Sequence, residues 1–165
     1  MNYVTILKDD YNENKSKYLE CISKLIKDDN SKIANMDEIA NHLNFIFKFD
    51  NSILVFLFND DELISMVNAY EYNTVVHEWC VFALFIKKEY RALGIGTQVL
   101  QYIINKILEY NPSKIISGIE TENGASIKLH EKIGFCYSNC SWNELAEGFP
   151  ENHLGFEYKI QDRKR

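Results

Sequence analysis

The chain has 165 residues, 46% apolar and 25% charged, with a net charge of −6 at pH 7. This balance predicts one globular domain over 1–165, and its acidity argues against a nucleic-acid binder, which normally presents a basic face. The longest apolar run, "WCVFALFI", is too short to span a bilayer.

In chain order, the alternation at 3–7 predicts a short strand. Tyr18, Ile22, Leu25 and Ile26 form one stripe of a helix over 14–28, ended by Asp29-Asn30. Ile39, Leu43 and Ile46 share a face of a second helix over 36–47. "ILVFLFN" (53–59) and "LISMVNAYEY" (63–72) are rich in β-formers around Asp60-Asp61-Glu62 and predict a hairpin. "VVHEWCVFALFI" (75–86) adds a third strand to an antiparallel meander. From Ile95 the period changes: Ile95, Val99, Ile103 and Ile107 recur every fourth residue, with Leu100, Ile104 and Leu108 beside them, as in a helix. Asn111-Pro112 stops it. "KIISGIE" (114–120) is a short buried strand, so a parallel strand–helix–strand unit is expected. "GASIKLHEKIGF" (124–135) is another helix, with Gly134 in the left-handed C′ position and Phe135 packing back. "HLGFEYKI" (153–160) alternates as a half-buried strand. No signal peptide opens the chain, and Cys21, Cys80, Cys136 and Cys140 form no C-x-x-C pair. The expectation is a reduced cytoplasmic protein with buried thiols and no metal site.

The stretch "KKEYRALGIGTQVL" (87–100) holds two of the seven glycines, just before the apolar helix. A helix N-terminus offers unpaired N–H groups and a positive dipole end, which suit phosphate. Glycines let the backbone approach an anion, and Arg91 can add a charge-assisted contact. A Walker loop is excluded, because Thr97-Gln98 follows Gly96 instead of Lys-Ser/Thr. A dinucleotide fold is also excluded: Val99 occupies its third small position, and too few residues follow Glu120. A plain strand–helix turn remains open for G-x-G alone.

The motif R-x-x-G-x-G at 91–96 is followed by N-x-x-S-x-x-x-H-E-K-I-G-F at 123–135. Together they resemble the GNAT superfamily of N-acetyltransferases, and "ENGASIKLHEKIGF" is similar to its phosphinothricin-acetyltransferase-like branch. The resemblance implies a mixed α/β fold with a mostly antiparallel sheet of six or seven strands and about four helices. It implies acetyl-CoA as co-substrate. Its pyrophosphate would lie on N–H groups of Arg91, Ala92, Leu93, Gly94, Ile95, Gly96 and Thr97, and its pantetheine arm along Phe85 and Ile86, with Asn123 and Ser126 nearby. Asn123 can equally cap the helix that follows it. Lys132 reads as a solvated helix residue, or as a contact to the cofactor's phosphates.

The implied reaction is direct acetyl transfer to a primary amine of a small molecule or peptide. Ile86 N–H is the expected oxyanion donor. His130 occupies the position of the family's proton-donating tyrosine; it can donate near neutral pH, or be a surface or cap residue. The family's third-strand acid falls by spacing at Cys80 or Val81, so Glu78, on the same face as Cys80, is the expected base. An exposed strand-edge carboxylate is the alternative for Glu78. A covalent role for Cys80 is not expected. A homodimer stays open, as does a non-catalytic acyl-CoA sensor on the same fold. The N-terminal helices and the 136–152 loop should shape the acceptor site, but carry no motif that names the amine.

Overall fold

A computed structural model describes residues 1–27, 36–138 and 152–160. The elements run β1 (Asn2–Leu7), α1 (Lys8–Lys27), α2 (Met36–Ile46), β2 (Ser52–Asn59), β3 (Glu62–Asn73), β4 (Glu78–Ile86), a 3-10 turn (Lys88–Tyr90), α3 (Ile95–Leu108), β5 (Lys114–Glu120), α4 (Gly124–Ile133), β6 (Phe135–Tyr137) and β7 (His153–Tyr158). Among the described residues seven strands form one sheet in the order β1-β2-β3-β4-β5-β7-β6. Every neighbouring pair is antiparallel except β4 and β5. The expected mixed sheet with four helices is the fold observed.

Two apolar layers fix the sheet between the helices. On one face Ile53, Val55, Leu57, Val67, Trp79 and Val81 meet the α3 stripe of Ile95, Val99, Leu100, Ile103, Ile104 and Ile107, all buried. Each such side chain contributes roughly 1.5–3 kcal/mol by leaving water. On the other face Leu54, Phe56, Met66 and Phe85 meet Tyr18, Ile22 and Leu25 of α1 and Ile39 and Leu43 of α2. The α3 helix ends at Leu108, and after a short turn Asn111 (φ 52°) and Pro112 keep the chain from continuing it.

Three local expectations need correction. The first helix begins at Lys8, not at residue 14, and Asn14 is a kink (φ −118°, ψ 20°). There the Asn14 amide donates to the Asp10 carbonyl at 3.2 Å, so a side chain competes with the helical ladder. The third strand begins at Glu78, because residues 74–77 form a turn. Asn73 Oδ1 accepts from Val75 N at 3.2 Å and Val76 N at 3.4 Å, and His77 Nδ1 is bonded to Glu71 at 2.7 Å. These bonds override the β-propensity of the two valines. Finally, Phe135–Tyr137 is a short strand paired with β7. The expected helix end at Asp29-Asn30, Cys140 and most of the 136–152 loop lie outside the described residues.

Candidate active site

The sheet opens in its middle. β4 and β5 pair over four positions, from Glu78↔Lys114 to Val81↔Ser117. Beyond that point β4 follows β3 and β5 follows β7. A bulge helps to turn β4 away: the register with β3 shifts between Met66 and Asn68, where Ala83 has φ 50°. A bulge bends a strand and increases its twist. The gap is lined by Val81, Phe82, Ala83, Leu84, Ser117, Gly118, His130 and neighbours, with a volume of about 550 Å³. It runs into a second space of about 670 Å³ beneath the glycine loop, sharing Leu84, Asn123 and Ser126.

The glycine loop lines that second space. Ala92 (φ 60°) and Gly94 (φ 81°) are both left-handed, and Gly94 caps α3 with no side-chain bond to its first turn. The N–H groups of a long helix therefore face the space uncapped. A Cβ built on Gly94 would meet nothing within 4 Å, so an anion can approach closely. Gly96 serves differently. Its Cβ would lie 2.9 Å from Ile86 Cδ1 and 3.0 Å from Leu129 Cδ2, so this glycine lets α3 pack against β4 and α4. Leu93 is exposed, Ile95 is buried in the core and Thr97 lines the space. Arg91 Nε donates to the Ile86 carbonyl at 2.9 Å, which ties the arginine to the end of β4.

Register separates Phe85 from Ile86. Lys87 N donates to Ile64 O at 2.8 Å, so by alternation the polar groups of Phe85 also face β3. The Phe85 carbonyl accepts from Ser65 Oγ at 2.7 Å. Ile86 turns its N–H the other way, toward the opening. Only the second of the two expected backbone contacts is thus presented to the space. Asn123 caps α4, accepting from Ser126 N at 3.1 Å, and also lines both spaces. Lys132 is exposed on α4.

His130 is 4% exposed and lies at the apex where β4 and β5 part. Its Nδ1 donates to the Ser126 carbonyl, one helical turn back, at 2.8 Å. Its Nε2 lies 3.1 Å from Ser117 Oγ. With Nδ1 carrying the proton of the neutral ring, Nε2 accepts from the hydroxyl. Burial pushes the imidazole pKa below its ordinary 6.5, against the opposing pull of the Ser126 carbonyl. The neutral ring is therefore the resting form near pH 7. A surface position for His130 is ruled out.

Glu78 stands elsewhere. It begins β4, beside its register partner Lys114, whose Nζ is 3.5 Å away. It does not line the opening, and the structure does not bring it to His130 or to the glycine loop. Cys80 is buried against Tyr70, and burial pushes its thiol up to about 12, which removes it as a nucleophile. Cys21 and Cys136 are only partly buried. Ser117 escaped the sequence reading. Its signal was a lone hydroxyl between Ile115 and Ile119 on one strand face. Among the described residues no cluster of His, Cys, Asp and Glu could hold a metal, and no helix is long and apolar enough to cross a membrane.

Known proteins resemble the chain in part of its sequence and in its fold. An N-alpha-acetyltransferase from Sulfurisphaera tokodaii is 32% identical over 69 residues, 41% of this chain and 41% of that enzyme. The match thus spans less than half of the curated relative. The ribosomal-protein-S18-alanine N-acetyltransferase of Escherichia coli has the same fold, with a TM-score of 0.68 at 13% identity over 98% of this chain and 97% of that one. The yncA protein of Salmonella typhimurium, solved with its cofactor acetyl-CoA, gives 0.64 at 11% identity over 99% and 96%. The model of the acetyltransferase (GNAT) family matches residues 19–135. Most of the chain, including both motifs and the opening between β4 and β5, lies in that match, and the chain belongs to the acetyltransferase (GNAT) family.

Proposed function

We propose that the chain is an acetyl-CoA-dependent N-acetyltransferase acting on a primary amine by direct transfer, with both substrates bound. The observation that carries this reading is the opening between β4 and β5. It has an uncapped helix N-terminus at one end and a buried neutral histidine at its apex.

The residues fit the cofactor. The N–H groups around Gly94 and the first turn of α3 would hold its pyrophosphate, with Arg91 beside them. Ile86 N–H and Asn123 face the space that the pantetheine arm would take. Acetyl-CoA supplies an acetyl group activated as a thioester. Ile86 N–H is available to the acyl oxygen as a donor. Nε2 of His130 accepts the proton that an amine must lose and can return it to a departing thiolate. Resting neutral, His130 acts first as a base, which reverses the order of work expected from the family's tyrosine. Glu78 has no part in this chemistry.

The N-alpha- and S18-alanine acetyltransferases among the relatives put peptides with free N-termini first on the acceptor list. An α-amino group, with a pKa of about 7.7–8.0, is partly unprotonated at neutral pH, so its lone pair is accessible. The test is thiol release from acetyl-CoA with peptides, amino acids, polyamines and aminoglycosides. The expected result is release that depends on at least one amine class. Tight acetyl-CoA binding with no release from any amine would instead favour a sensor.

A further inference from the structure

We infer that Ser117 is a catalytic residue of this transferase, its hydroxyl carrying the proton between His130 Nε2 and the reacting atoms. The inference rests on the acetyltransferase reading. Three observations carry it. His130 is nearly inaccessible, its Nδ1–H is committed to the Ser126 carbonyl, and its Nε2 is met by Ser117 Oγ at 3.1 Å. While that bond holds, a proton reaches Nε2 only through the hydroxyl. Phe135 packs edge-on against the imidazole, with ring centroids 5.1 Å apart, and restrains it there.

Position argues for chemistry over a simple tie between β5 and α4. Ser117 is the last residue of β5 paired to β4, opposite Val81, and it lines the opening beside His130. A tie could stand anywhere along β5; this one stands where the strands part. Ile115 and Ile119 occupy the flanking positions on the same face and are buried in the core.

The proton balance closes. The amine lone pair forms the C–N bond, and the amine proton passes to Ser117 Oγ as the hydroxyl's own proton moves to Nε2. The C–S bond breaks with its electrons on sulfur, and the imidazolium returns a proton through Oγ to the thiolate. Amine and thioester become amide and thiol, with Ser117 and His130 restored.

Ser117→Ala and Ser117→Thr test this against wild type. In the free protein, imidazole 15N shifts should report protonated Nδ1 and hydrogen-bonded Nε2 in wild type and in Ser117→Thr. The Nε2 signal should move in Ser117→Ala. With acetyl-CoA and an active amine, Ser117→Ala should lose about a hundredfold in kcat. Its acetyl-CoA affinity should stay within about twofold, since no cofactor-holding group is touched. A curved proton inventory in H2O/D2O mixtures should become linear, and Ser117→Thr should recover most of the rate. Parental kcat and isotope behaviour in Ser117→Ala would overturn the relay, as would protonated Nε2 in the free wild-type protein. A wild type with the expected 15N shifts but no thiol release from any amine would overturn the transferase reading, and the relay with it.

Discussion

A histidine whose Nδ1–H is tied to the carbonyl one turn back has a single nitrogen left for chemistry. In His130 that nitrogen faces the opening through Ser117. His130→Phe should therefore lower kcat by roughly 10²–10⁴-fold while acetyl-CoA affinity stays nearly intact, as steady-state kinetics and calorimetry would show. Glu78→Gln should keep the parental kcat, because its carboxylate sits beside Lys114 away from the opening. The pH profile follows from the ring's burial. Its pKa is lowered below 6.5, and the working form is neutral. Corrected for the amine's own ionisation, kcat should be level above that ordinary value and fall as acidity protonates the ring. In His130→Phe this acidic limb should vanish. A limb of the same position surviving in His130→Phe would assign it to another group.

At the scale of elements, the two glycines of the loop should fail in different ways. Gly94→Val places a branched residue at φ 81°, a conformation costing roughly 1–2 kcal/mol for an L-residue, at the mouth of the phosphate site. Acetyl-CoA affinity should fall more than the melting temperature does. Gly96→Val drives a side chain into Ile86 and Leu129, so stability should fall by about 1–3 kcal/mol in denaturant unfolding. Acid should also weaken the helical layer over the sheet. His42 on α2 lies 3.5 Å from Asn68, and burial lowers its pKa to about 4. Its neutral form contributes stability above pH 6.5 that is lost as pH falls toward 4, by at most roughly 3 kcal/mol. His42→Gln should flatten that part of the pH–stability curve.

Elements with strong periodic patterns were readable in advance. The four-residue spacing from Ile95 to Ile107 gave α3 its face, and Gly134 (φ 109°) marked the end of α4. The glycine loop was legible because its geometry is local. The particular side-chain contacts that reshape an element were not. The start of β4 lies later than its β-formers suggest because the Asn73 side chain, two residues before Val75, holds the turn, and Glu71 binds His77. The kink of α1 goes with two bonds that the Asn14 amide gives to Asp10. Glu78 was chosen by spacing along one strand, which cannot say where β4 and β5 part. Ser117 becomes meaningful only when α4 folds His130 against it.

For the whole molecule, a cofactor lying across β4, α3, β5 and α4 should tie these elements together. Acetyl-CoA at a hundred times its Kd should stabilise the protein by about 2.7 kcal/mol, since only the folded chain binds it. For a chain of this length that is a rise of roughly 5–10 °C in Tm. Gly94→Val should show a smaller rise at the same concentration. Backbone hydrogen exchange with and without acetyl-CoA would test the seat of the cofactor most directly. Exchange should slow at Leu84–Ile86, through Arg91–Thr97 and at the start of α4, with β1 and α1 little changed. Protection confined to α1, α2 or the β1 edge, with the glycine loop exchanging at its free rate, would contradict it.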